Sequence, residues 1–196
     1  MKFKAIATAY KSKEKLRVLE TPGGEQWISN DVALYSLCGM PKLSAKSVLN
    51  ILDVPLEKQD EWTTSEQTMD SELLRLCANN SVSTFNALEK METELVWGSE
   101  KYIFFRNNSE VLAVNEKYLK PLYDEGAYLR FYKMNAYDNK VSLILVYKGL
   151  DEIKGIILPA SLSDALAELC SITTGLYIAS SEIQSNSEEE DEDETS

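Results

Sequence analysis

The longest consistent pattern of apolar runs and turn residues lies between Val111 and Ser163. Residues 111–114 form a short apolar strand. Asn115 follows where a helix N-cap belongs, because its side-chain oxygen can accept from a free N–H of the first turn. Tyr118, Leu119 and Leu122 then share one helical face, leaving Lys117, Lys120 and Asp124 to water. Pro121 has no N–H to donate and keeps this helix short or bent, and Gly126 ends it. Residues 127–134, 141–147 and 154–158 read as strands, separated by turn residues at 135–139 and 149–152. The middle run, VSLILVY, is rich in β-branched and aromatic residues and suits a central strand. Connections this short favour antiparallel neighbours.

The rest of the chain follows the same two periods. Residues 3–9 and 16–20 read as strands joined by a lysine-rich loop, and residues 26–29 and 33–37 as a second pair around Asn30-Asp31. Ser44 is an N-cap for a helix over residues 45–52 whose apolar face is Val48, Leu49 and Leu52. Residues 1–55 are thus expected to be a β meander plus a helix. Residues 56–98 read as a mostly helical and loop connection: 57–67 polar loop, a helix through Met69, Leu73, Leu76 and Cys77, and a second helical turn at Phe85, Leu88 and Met91. Residues 95–114 suggest a three-strand run. After Pro159, Ser161 or Ser163 caps a helix carrying Leu162, Leu166, Leu169 and Cys170, which Gly175 ends before an edge strand over 176–179.

The fold class expected from these patterns is α+β, a mainly antiparallel sheet with short helices packed on one face. Residues 99–179 would form a β-α-βββ-α unit continuous with residues 1–98. From Ser180 the composition turns to Ser, Asn, Glu and Asp, too charged and too poor in apolar residues to offset its ordering entropy, so residues 180–196 are expected to be a disordered acidic tail. Strand, turn, strand and short helix at 26–52 roughly parallel the order at 101–125, which allows an internal duplication.

Charge narrows the function classes. The net charge is −12. Of the 32 acidic residues, seven lie between Glu188 and Glu194, which leaves 25 acidic against 20 basic in the rest. Such a body repels phosphate unless its basic residues cluster, so direct nucleic-acid binding is not expected. There is no histidine, which removes Ser-His-Asp and Cys-His nucleophiles, the HExxH helix and imidazole proton shuttles. Cys38, Cys77 and Cys170 form no CxxC pair and are expected as reduced, buried thiols; neither a metal site nor a cofactor is expected. Gly23-Gly24 lacks the Lys and Ser/Thr of a phosphate loop. No enzyme is expected. The first 15 residues hold too brief an apolar run for a signal segment, and no stretch approaches membrane-spanning length, so a cytoplasmic, non-membrane protein is expected.

For partner binding, Trp62 lies in a polar stretch and is the candidate exposed anchor, whereas Trp27 sits beside a strong strand pattern and reads as core. The tail residues Glu188, Glu189, Glu190, Asp191, Glu192, Asp193 and Glu194 are either a solubilising segment or a phosphate-like polyanion able to occupy a cationic groove on another protein.

Two resemblances add to this. Asn115, Tyr118 and Leu119, the strands after them, and Ile156-Ile157-Leu158-Pro159 resemble the last half-domain of the bacterial DNA polymerase sliding clamp, over roughly a quarter of the chain. Trp27-Ile28-Ser29-Asn30, Ala33-Leu34-Tyr35, Gly39-Met40-Pro41 and Lys117-Tyr118-Leu119-Lys120-Pro121-Leu122 look like an uncharacterised family of small proteins from phages and mobile elements of Gram-positive gut bacteria. The second likeness brings no established chemistry; together with the acidic balance and the absence of catalytic residues it leads to the expectation of a non-catalytic accessory protein in a bacterial host cell. Its expected partner is a host nucleic-acid-processing protein with a basic groove, such as an RNA-guided nuclease, which would make it an anti-CRISPR-like inhibitor. The clamp likeness implies the alternative, a sliding-clamp-like accessory in phage replication or recombination, for which the visible basic candidates are Lys42, Lys46, Lys117 and Lys120. A scaffold of the element with no inhibitory role is the third reading, and the oligomeric state stays open.

Overall fold

Alternation along the strands divides the apolar side chains between two faces of one sheet. In the computed structural model, which describes residues 2–78, 86–107, 110–123, 128–138, 141–149 and 152–160, residues through Ala160 form one compact unit. The helix expected after Pro159, the edge strand at 176–179 and the acidic tail lie outside the described residues. Within them the elements run α1 (Phe3–Lys11), β1 (Lys15–Glu20), β2 (Gln26–Ser29), β3 (Ala33–Ser36) and α2 (Ala45–Ile51). A 3-10 helix (Leu56–Glu61), β4 (Thr63–Thr68), α3 (Ser71–Ala78), β5 (Asn86–Trp97), β6 (Glu100–Arg106) and β7 (Val111–Asn115) come next. The last are α4 (Glu116–Leu119) with a 3-10 turn (Lys120–Leu122), then β8 (Leu129–Ala136), β9 (Val141–Lys148) and β10 (Glu152–Ile157).

The strands lie in the order β4-β1-β2-β3-β10-β9-β8-β5-β6-β7. All neighbours are antiparallel except β1 and β4. This is the mainly antiparallel α+β sheet the patterns imply, with VSLILVY (β9) inside it. Past β10, the Ala160 N–H donates to the Ala113 carbonyl of β7 at 2.8 Å, so the far end of the sheet curls back toward β10.

On one face, Leu16, Ile28, Tyr35, Ile144, Val146 and Ile157 pack with α1, α2 and α4. On the other, Leu19, Trp27, Leu34, Leu143, Leu145 and Ile156 pack with Leu76 of α3. The helices therefore do not all lie on one face: α3 covers the second core. β10 reaches both cores through a bulge between Ile153 and Gly155. The extra residue, Lys154, lets Ile153 and Ile156 point the same way although they are three apart.

Three segments differ from their patterns. Residues 3–9 are helix, not strand: Phe-Lys-Ala-Ile-Ala-Thr-Ala alternates, but Ile6, Ala9 and Tyr10 are the buried residues, which is helical spacing, and Lys2 supplies no side-chain cap to announce a start. Residues 57–67 hold a 3-10 helix and β4 rather than a loop, because pairing with β1 orders a polar strand that has no apolar face of its own. Residues 86–97 are a long strand rather than a helical turn. Residues 56–98 are thus a strand-helix-strand passage, not mostly helix and loop. The caps behaved as the residue types require: the Ser44 side chain accepts from the Ser47 N–H, and Asn115 from the Lys117 N–H.

Two stretches share one topology. α1-β1-β2-β3 and α4-β8-β9-β10 each place a helix before a three-strand meander, and the meanders meet where β3 pairs antiparallel with β10, Tyr35 opposite Gly155. α1 packs on α4 and its following turn, and the Lys2 N–H donates to the Pro121 carbonyl at 3.0 Å. The matched topology thus extends over residues 3–36 and 116–157, and the strand-turn-strand-helix order expected at 26–52 and 101–125 is also present, as β2-β3-α2 and β6-β7-α4.

Candidate functional site

Few of the described groups are poised for covalent or proton-transfer chemistry. Cys77 is half-buried, its Sγ 3.8 Å from the Met69 Sδ, and burial pushes its thiol up to about 12, so it carries no thiolate near neutrality. Cys38 is exposed, against the expectation of a buried thiol, because it follows β3 in a turn. The Lys117 ammonium, with the Tyr102 hydroxyl, holds the Glu100 carboxyl below its usual range, and Lys120 does the same for Glu116. These carboxylates are held charged, the reverse of what a general acid needs. Among the described residues no three Cys, Asp or Glu side chains converge as metal ligands. No helix among them is long and apolar enough to cross a membrane.

The helical face carries the most organised charge. With Ile6, Ala9 and Tyr10 turned inward, Lys4, Thr8 and Lys11 fall on the outer stripe of α1, and Lys2 and Lys13 flank it; all five are exposed. The helix has no acidic residue in its first turn, and among the described residues none of these four lysines forms an ion pair. The four lysines anticipated for this role behave differently. Lys42 pairs with Glu20, Lys117 with Glu100, and Lys120 with Glu116, so of these four only Lys46 on α2 has no ion pair among the described residues. Reading residues 3–9 as a strand hid the α1 stripe, since alternation puts Lys4 on the same face as Ile6 and leaves Lys11 in the loop; the i, i+3, i+4 spacing of Ile6, Ala9 and Tyr10 was the available signal.

The tryptophans separate. Trp27 is buried in the second core, its indole N–H without a hydrogen-bond partner among the described residues. Trp62, the anchor chosen from sequence, is half-buried and packs against the first core. Trp97 is 61% exposed and the adjacent Val96 68%, both at the tip where β5 turns at Gly98 (φ +63°) into β6. β5 pairs with β8 from Asn86 to Leu88; beyond that, among the described residues, it is an arm whose only strand partner is β6, and of its exposed glutamates Glu89 pairs with Arg106 and Glu94 with Lys101 while Glu92 has no ion pair. The tail candidates Glu188 to Glu194 lie outside the described residues.

A cleft of about 450 Å³ lies between α3 and the second sheet face, floored by Leu19, Leu34, Leu143 and Ile156. Its rim carboxylates are already engaged: Asp31 by Lys15 and Arg17, and Asp70 by the Tyr137 hydroxyl at 3.1 Å and the Leu73 N–H at 2.9 Å.

The fold and these surfaces define an α+β protein of two topologically matched halves, with a lysine-bearing helical face and an exposed aromatic arm. Comparison with protein-family models, with curated proteins and with solved structures finds no match to the chain.

Proposed function

We propose that this is a non-catalytic accessory protein of a phage or mobile element that rests on duplex nucleic acid through its helical face, in the manner of a sliding-clamp domain, during replication or recombination. The observation that carries this is Lys4 and Lys11 on the outer stripe of α1, flanked in sequence by Lys2 and Lys13, none of the four ion-paired among the described residues. Overall charge argues against phosphate contact only while the cations are dispersed, and here four lysines fall within residues 2–13, Lys4 and Lys11 on one helical stripe. The matched halves, with α1 and α4 side by side, support a clamp-like use of that face. Affinity would be modest and salt-dependent, because roughly one counterion is released per phosphate neutralised. The test is fluorescence anisotropy of the full chain with labelled duplex DNA over a salt series. Binding at low salt is expected, and Lys4→Glu with Lys11→Glu should weaken it across sequences and lower the salt slope by about one per lysine. No binding at low salt removes this reading.

A second reading has its own observation. The Val96-Trp97 tip on a glutamate-bearing arm suits docking on a basic surface of a host nucleic-acid enzyme, as an anti-CRISPR-like inhibitor would, because aromatic anchors dominate such contacts. Here the chain would inhibit cleavage by a purified RNA-guided nuclease and Trp97→Ala would abolish inhibition; unimpeded cleavage at saturating chain excludes that target.

A further inference from the structure

Among the described residues the sheet ends at β4, and no strand pairs with its outer edge. Thr63 to Thr68 are exposed apart from half-buried Ser65, and among the described residues the strand pairs only with β1. Both ends are pinned, the Thr63 N–H to the Glu14 carbonyl and the Met69 N–H to the Glu20 carbonyl, each at 2.9 Å. Backbone groups alternate in direction along a strand, so residues 65 and 67 also face β1. The N–H and C=O groups of Thr64, Glu66 and Thr68 therefore point outward. Natural sheets blunt such an edge with lysine, proline or a bulge. TTSEQT has none of these, and its one charge is drawn aside, Glu66 accepting from the Ala45 N–H of α2 at 2.7 Å.

We infer that β4 is the docking edge for a second copy of this chain, β4 pairing antiparallel with β4 about a two-fold axis at Ser65. The register follows from the directions of the backbone groups. Outward residues must meet outward residues, which places the axis on a residue rather than between two, and positions near the middle of the strand pair the most residues. An axis at Glu66 sets two carboxylates opposite one another. An axis at Ser65 instead places Thr64 opposite Glu66 and Thr63 opposite Gln67, pairs able to hydrogen bond with no like charges facing. Such a contact is isologous and closes at two, so the edge is consumed without fibre growth. The axis stands perpendicular to the sheet, which leaves the helical faces of both copies on the same side. This inference does not depend on what that face binds.

The test is the mass of the full chain by sedimentation equilibrium across a concentration series. A species of twice 22.1 kDa is expected, with a melting temperature that rises with concentration. Thr64→Pro removes one outward donor while leaving the bonds to β1, since its N–H faces away from that strand. It should give monomer with unchanged circular dichroism. Ser65→Lys sets like charges at the axis and should give monomer that partly re-associates at high salt. A wild-type chain that stays monomeric at its solubility limit, or a dimer that survives both substitutions, overturns the inference.

Discussion

The Tyr35 hydroxyl donates to the Tyr118 carbonyl at 2.7 Å across 83 residues of sequence. The bond joins β3 of one half to α4 of the other, and Tyr10 stacks beside it, ring centroids 5.9 Å from those of Tyr35. The Tyr10 hydroxyl lies 3.0 Å from the Ile28 carbonyl and 3.1 Å from that of Ala33. Tyr35→Phe keeps the ring but leaves a buried carbonyl without its donor, so it should cost about 1–3 kcal/mol. Urea unfolding checks this, with the slope unchanged. A loss below a few tenths would mean that water replaces the hydroxyl and that packing and the β3–β10 backbone bonds suffice to join the halves.

The same burial sets an alkaline limit. Burial raises Tyr10 and Tyr35 well above 10.0 and the Cys77 thiol from 9.0 to about 12. A folded-state value above the unfolded one means that the native chain keeps its proton while the unfolded chain loses it. Stability is then full below the unfolded value and falls as pH rises toward the folded one. The decline should begin near pH 9 with Cys77, at up to about 1.4 kcal/mol per pH unit, and steepen above pH 10 as the tyrosines join. Cys77→Ala should flatten the first part of the curve. An unfolding free energy as steep in that variant between pH 9 and 10 contradicts the assignment to Cys77.

Much of the fold was legible because its signals are local. Ser44 and Asn115 cap helices through their own side chains, and VSLILVY is apolar enough to belong inside a sheet wherever it lies. The failures share a different cause. β4 has no apolar face, and its order comes from β1, more than 40 residues away in sequence. α1 has no side-chain cap, and its alanines fit either period; only its packing on α4 decides between them. That one misassignment concealed the lysine stripe, so the site was less legible than the fold. The choice of Trp62 as exposed anchor followed its polar neighbours, but neighbours in sequence do not report that the indole reaches the core beneath β4 and α2.

Gly155 is required by space rather than by backbone angle. A Cβ there would lie 2.9 Å from the Leu122 Cδ1 and 3.3 Å from the Leu34 carbonyl oxygen. Gly155→Ala should therefore cost about 1–3 kcal/mol by overpacking. Leu122→Ala alone should cost about 2–5 kcal/mol by leaving a cavity. Combined, the two should fall clearly short of the sum, since the truncated leucine makes room for the methyl. Strict additivity in thermal unfolding would show that the carbonyl of Leu34, not the leucine, sets the limit.

Trp62 and Trp97 should respond in opposite senses to truncation. Trp62 packs against the first core, so Trp62→Ala loses buried apolar area and should destabilise by about 1–3 kcal/mol. Trp97 is 61% exposed at the arm tip, and Trp97→Ala should change stability by no more than about 0.5 kcal/mol. Acrylamide quenching adds a readout independent of stability: the wild-type chain should show one readily quenched tryptophan, lost in Trp97→Ala and retained in Trp62→Ala. If Trp97→Ala instead lowers stability as much as Trp62→Ala, the tip is packed against its own chain. It could then offer no anchor to a partner, which would remove the observation favouring an inhibitory role while leaving the α1 lysines untouched.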